Sequence, residues 1–160
     1  MKNMTLMVGD IAPDFEFIDR DGSKKNFHHV KGPKFVYFYP KAFTPTCTKE
    51  SCSIQNSYSD LKRKGIIEVF GISTDSKEKQ EKFASKFGLE FLMVDDKKLN
   101  ISRKYGVLIK KYLFFNLARR FTFLIDNENK IVTINNIGIK GNKTKYGIEN
   151  YGKELLELNF

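Results

Sequence analysis

Five consecutive residues, Phe35-Val-Tyr-Phe-Tyr39, constrain this chain most. The run is aromatic and β-branched throughout, and it lies between Gly32-Pro33 and Pro40. Such a run reads as a central strand buried on both faces. Pro40 to Thr46 must then be a loop, because two prolines so close together forbid a regular element. From about Thr46 a helix runs to Lys64, with Ile54, Tyr58 and Leu61 as its buried stripe and Gly65 as its stop. The loop therefore sits at the carboxyl end of a strand, where open α/β sheets bind their ligands.

The flanking sequence supplies the rest of a sheet. Phe15 and Phe17, the turn Asp21-Gly22 and the stretch Lys25 to Phe27 predict an N-terminal β-hairpin. Ile66 to Ser73 is the next strand. Asp75 with Glu78 forms a capping box that starts a helix through Phe87, closed by Gly88. Phe91 to Val94 is a short strand, and Lys97 to Tyr105 a helix of about two turns ended by Gly106. Val107 to Leu117 has no clean period and reads as a loop or irregular insertion. Phe121 to Ile125 and Lys130 to Ile134 form a hairpin across Asp126 to Asn129. Ile148 to Leu158 is a closing helix. Strands alternating with helices, then a late hairpin, predict an α/β fold with a mixed central sheet and helices on both faces.

Composition sets the class. The 160 residues are 41% hydrophobic and 29% charged, with no apolar run near the roughly 20 residues of a membrane span, so one globular domain over 1–160 is expected. Met1 to Gly9 does not read as a secretory signal. Two cysteines are too few for a disulfide scaffold or a four-cysteine zinc site. The net charge of +9 is concentrated in residues 97–160. It comes from 23 Lys and 5 Arg beside 12 Asn, a bias that points away from a phosphate-reading surface, where Arg is preferred. No zinc-finger, RNP, glycine-rich phosphate or Ser-His-Asp pattern is present. The adjacent His28 and His29 read as a solvated strand end and not as a metal site.

The chemistry lies in Phe38-Tyr-Pro-Lys-Ala-Phe-Thr-Pro-Thr-Cys-Thr-Lys-Glu-Ser-Cys52. Cys47 falls in the first turn of the helix, facing unpaired backbone N–H groups and the positive end of the helix dipole, and both favour a thiolate. Thr44 can offer its hydroxyl to the sulfur or to a bound oxygen, and Pro45 fixes the entry into the helix. A lone cysteine is more often a small buried hydrophobe, but the strand-to-helix junction behind Thr44 and Pro45 argues for an activated nucleophile. Cys52, five residues on, does not make a C-x-x-C pair. It is either a structural cysteine or a second thiol able to capture an oxidised Cys47 once the backbone adjusts.

Pro40-x-x-x-Thr44-x-x-Cys47 resembles the peroxiredoxin signature, and the wider segment to Cys52 resembles the Q subfamily, the bacterioferritin-comigratory-protein type of the AhpC/TSA superfamily. Val8 to Phe15 is similar to the family's opening. Gly71-Ile-Ser-Thr-Asp75 is similar to its strand after the active-site helix, and Arg120-Phe-Thr-Phe-Leu-Ile-Asp126 to its R-x-T-F-L-I-D. The resemblance implies a thioredoxin-like fold and thiol-dependent peroxidase activity. It makes Cys47 the peroxidatic cysteine and Cys52 the resolving one, with an intramolecular disulfide between them. Thr44 would bond the thiolate and the peroxide, Pro40 would screen the site from water, and Arg120 would hold a guanidinium beside the sulfur. Arg119 would point to the opposite face of the strand.

The chain departs from the family in three places. Thr46 replaces a common glycine, Ala42-Phe43 replace a more polar pair, and Asn135 to Lys145 lack the usual tryptophan and histidine. Ile109 to Asn116 is unusually hydrophobic and reads as a packed loop, the alternative being a partner surface. The expected activity is reduction of hydrogen peroxide and organic hydroperoxides, recycled by thioredoxin, in a cytoplasmic monomer with no metal or organic cofactor. The rival readings are a thioredoxin-like binding module with a basic C-terminal half and a thiol–disulfide oxidoreductase.

Overall fold

A computed structural model describes residues 6–112 and 115–160, with the side chains of 110–112 and 115 left aside. The N-terminal hairpin pairs β1 (Glu16–Ile18) with β2 (Lys24–Asn26), Phe17 opposite Lys25. The central strand is β3 (Lys34–Phe38), every residue of it buried. It leads into α1 (Pro45–Lys64), β4 (Glu68–Ser73), α2 (Lys77–Phe87) and β5 (Leu92–Asp95). Both β3–β4 and β4–β5 are parallel, as crossover helices require. The chain continues through α3 (Asn100–Lys104), β6 (Leu108–Tyr112), β7 (Phe115–Ala118), β8 (Phe121–Ile125) and β9 (Ile131–Asn136), and ends in α4 (Tyr151–Leu156). β8 lies antiparallel against the other side of β3, and β9 against β8, so the five-stranded sheet runs β5-β4-β3-β8-β9.

The alternation of β3 splits the core in two. Phe35, Tyr37 and Tyr39 face α1, α2 and α4 together with Ile54, Leu61, Phe83 and Leu155. Val36 and Phe38 face the β1–β2 hairpin and α3 together with Phe17, Ile101 and Tyr105. Among the described residues, helices cover both faces, three on one and a short one on the other. Among the described residues no helix is long and apolar enough to cross a membrane.

Four local expectations change. Val107 to Leu117 is not irregular: Leu108 pairs with Ala118 and Ile109 with Leu117 in an antiparallel ribbon with a register shift. The side chains of 110–115 lie outside the described residues, so the packing of the hydrophobic stretch 109–116 is set aside with them. The cap of α2 is Ser76, whose Oγ accepts from the Lys79 N–H (3.2 Å), and not Asp75. The helix expected from Lys97 begins only at Asn100, because the buried Asp96 carboxylate accepts the Ile101 and Ser102 N–H groups (2.9 and 2.7 Å) and starts the helix there. His28 and His29 lie in a 3-10 turn (Phe27–His29), and His28 Nε2 is 2.6 Å from the Ala12 carbonyl, so His28 is tied to the backbone and is not a solvated strand end.

Candidate active site

The site forms where β3 hands the chain to α1. Thr44 is the N-cap residue, with extended dihedrals, but its side chain does not cap the helix. Its Oγ1 donates to the Lys41 carbonyl (2.8 Å), closing the turn before the helix and leaving the oxygen's lone pairs to accept. Pro45 follows at the first helical position, where no N–H is needed. Cys47 is the third residue of α1 and fully buried.

Arg120 comes from the short link between β7 and β8 and is 2% exposed. Three partners fix its guanidinium. Nη2 lies 3.3 Å from Cys47 Sγ, Nη1 donates to Glu50 Oε1 (2.7 Å), and Nε and Nη2 donate to the Ile139 carbonyl (3.2 and 2.9 Å). Burial pulls the Arg120 pKa down, the neighbouring charges of Glu50 and Cys47 push it up, and the net direction is up. Its positive charge is therefore permanent beside the sulfur. Arg119, exposed, spends its backbone N–H on the Val107 carbonyl (2.7 Å) and faces away.

Glu50 escapes a reading by motif alone, although it lies inside the informative segment, one helical turn after Cys47 and on the same face. It is completely buried, and its Oε2 has no hydrogen-bond partner among the described residues. Burial pushes its carboxyl up to about 7, partly offset by Arg120. The Ile139 carbonyl also has no sequence signature, since a backbone oxygen carries no side-chain identity.

A cleft of about 390 Å³ opens over the sulfur, lined by Pro40, Thr44, Cys47, Leu117, Arg120 and Ile139 among others. Pro40, Thr44, Cys47 and Arg120 thus meet in one place. The unexpected Thr46 packs toward the loop after β9. A Cβ on Gly141 (φ +68°) would lie 3.0 Å from the Thr46 methyl, so the small residue here faces the threonine instead of preceding the cysteine. Cys52 stands apart, half-buried on the same intact helix, and burial pushes its thiol up. A larger cleft of about 560 Å³, between the β1–β2 hairpin and α3, contains no thiol. Among the described residues no group of three or more His, Cys, Asp or Glu side chains could hold a metal.

A buried thiol beside a clamped arginine, at a helix N-terminus and on the floor of a cleft, suits attack on an electrophile whose leaving group departs as an anion. The AhpC/TSA family model matches residues 8–134. Peroxiredoxin Bcp of Escherichia coli (strain K12) is 39% identical over 130 residues, which are 79% of this chain and 83% of that one. The chloroplastic peroxiredoxin Q of Gentiana triflora is 36% identical over 129 residues, 80% of this chain and 58% of that one. The crystal structure of peroxidoxin BcpB from Mycobacterium tuberculosis superposes with a TM-score of 0.77 at 27% identity, over 93% of each chain. The protein belongs to the AhpC/TSA family, among the thiol-dependent peroxidases of the Bcp and peroxiredoxin Q type.

Proposed function

We propose that Cys47 is the peroxidatic nucleophile and Cys52 its resolving partner, with Arg120, Thr44 and Pro40 serving the peroxide step. The carrying observation is the 3.3 Å approach of Arg120 Nη2 to Cys47 Sγ on the floor of the cleft. The Cys47 thiolate attacks the terminal oxygen of the peroxide. An S–O bond forms, the O–O bond breaks, and the leaving oxygen takes a proton to become water or an alcohol, while Cys47 becomes a sulfenic acid. Arg120 and the N–H groups of the first helical turn oppose the negative charge that builds on the oxygens. The Thr44 hydroxyl, already donating to Lys41, accepts the peroxide's O–H and sets it in line. Pro40 keeps water from the sulfur.

The Cys52 thiol then condenses with the sulfenic acid, giving a disulfide and water, and a dithiol of the thioredoxin kind reduces the disulfide by exchange. All the groups named come from one chain, so a monomer suffices, and a thioredoxin-reducing compartment such as the cytoplasm suits the cycle. The test is peroxide-dependent NADPH oxidation coupled through thioredoxin and thioredoxin reductase, with hydrogen peroxide and an alkyl hydroperoxide. Cys47→Ser should be inactive with both. Retained turnover in Cys47→Ser would overturn the assignment.

A further inference from the structure

The motif Gly71-Ile-Ser-Thr-Asp75 has no part in the chemistry above, yet it ends against the active-site turn. With Ser76 capping α2, the Asp75 carboxylate is free to turn the other way. It is nearly buried, at 6% exposure of the side chain. Its Oδ2 accepts the Ala42 N–H (2.7 Å) and the Ser73 hydroxyl (2.8 Å), and its Oδ1 pairs with Lys79 Nζ (3.2 Å). Ser73 Oγ in turn accepts from Gln80 Nε2 (2.9 Å), which also donates to the Val94 carbonyl (2.9 Å). A continuous chain of hydrogen bonds thus runs from β5 through α2 and β4 to the backbone of the turn that carries Pro40 and Thr44.

That turn needs an external hold. Phe43, next to Ala42, has φ +66°, a left-handed conformation that a bulky residue adopts only when its surroundings impose it. The Phe43 ring rests on Phe83 of α2, centroids 5.2 Å apart, and the charge-assisted bond from Ala42 to Asp75 fixes the residue before it. The neighbouring Thr74 Oγ1 donates to the Asn116 carbonyl (2.8 Å), tying the same β4–α2 loop to the strand whose Leu117 lines the cleft.

We infer that Asp75 is a positioning residue for peroxide reduction: it acts through the Ala42 N–H to hold the Pro40–Thr44 turn, and hence the Thr44 hydroxyl, over Cys47. The inference rests on the peroxidase reading of Cys47. Its effect belongs to the peroxide step, because the turn is where the peroxide is oriented. Losing a hydrogen bond to a charged acceptor is worth about a tenfold change in the population of the ordered turn.

Stopped-flow reaction with peroxide of the reduced protein, in Cys52→Ser background, tests this with Asp75→Ala, Asp75→Asn, Thr44→Val and the Asp75→Ala/Thr44→Val double variant. Asp75→Ala should slow the reaction about tenfold. Asp75→Asn keeps an oxygen for Ala42 and should recover part of the loss. The double variant should be no more than about twofold slower than Thr44→Val alone, because the two residues act as one unit. A purely structural Asp75 would give losses that multiply, with no recovery in Asp75→Asn, and that result overturns the inference, as does an Asp75→Ala rate within about twofold of the parent. Should Asp75→Ala not fold, the same cycle built on Asp75→Asn decides by the same criterion. Peroxide consumption by Cys47→Ser would overturn the underlying reading; an inactive Cys47→Ser with an unaffected Asp75→Ala would overturn only the inference.

Discussion

Cys47 and Glu50 stand one turn apart on α1 and share a single guanidinium: Arg120 reaches the sulfur with Nη2 at 3.3 Å and the carboxylate with Nη1 at 2.7 Å. The cation that stabilises the sulfur is thus held in place by a buried acid whose second oxygen has no partner among the described residues.

Glu50→Gln should separate the two consequences of this arrangement. The amide keeps an oxygen for Arg120 Nη1 but removes the negative charge that holds the cation, so peroxide reduction should fall by up to about tenfold, and Glu50→Ala, which removes the acceptor as well, should cost more. Stability should move the other way with pH. The Glu50 carboxyl is raised by burial to about 7 in the folded protein, against about 4.3 in an unfolded chain. The folded state then holds the extra proton between those values, and Glu50's contribution is full below the lower one and lost as pH rises through about 7. Urea titrations of both proteins should show the wild type losing stability relative to Glu50→Gln between pH 5 and pH 8. A pH-independent difference would mean Glu50 does not titrate in that range.

Gly152→Ala should loosen the C-terminal helix. The Gly152 N–H donates to Ser53 Oγ (2.8 Å), and a Cβ there would lie 2.3 Å from the Ser53 carbonyl oxygen. With backbone against backbone nothing can yield cheaply, so the substitution should cost about 1–3 kcal/mol in denaturant unfolding. A variant as stable as the parent would show that α4 can shift away from α1.

Oxidation should unwind the start of α1. On a regular helix, Cα atoms five residues apart are about 8–9 Å from each other, and a disulfide spans no more than about 7 Å. Cys47 and Cys52 both lie inside α1, so bond formation requires the first turns to open. The Gly152–Ser53 contact sits immediately after Cys52 and should stop the opening there. Hydrogen exchange on reduced and oxidised protein should show lost protection of the N–H groups from Thr48 to about residue 56, whose i−4 acceptors lie in the opened turns, and unchanged protection from Ser57 onward. Equal protection in both states would contradict the unwinding.

The central strand and the place of Cys47 at a strand-to-helix junction were legible because each has a local cause. Phe35 to Tyr39 are buried on both faces and look it, and Cys47 follows two prolines and a threonine that mark a strand-to-helix turn. Arg120, 73 residues from Cys47, was placed beside the sulfur through the family resemblance alone, and its other partners were not legible. Glu50 and Arg120 are 70 residues apart, and Arg120 also depends on the Ile139 carbonyl, which no residue type announces. Asp75 and Ser76 are equally good caps by type. Only the Ala42 N–H, 33 residues away, decides which of them takes the role. The β6–β7 ribbon was hidden because its register shift breaks the alternation that marks a strand.

Intact-mass measurement after one equivalent of hydrogen peroxide tests the Cys47–Cys52 cycle most directly. The wild type should lose about 2 Da as the disulfide forms, with a peptide joining Cys47 to Cys52 after digestion. Cys52→Ser should gain about 16 Da as its sulfenic acid persists, and Cys47→Ser should not change. Oxidation of Cys47→Ser at Cys52, or a wild type that gains oxygen without forming the bond, would contradict the account.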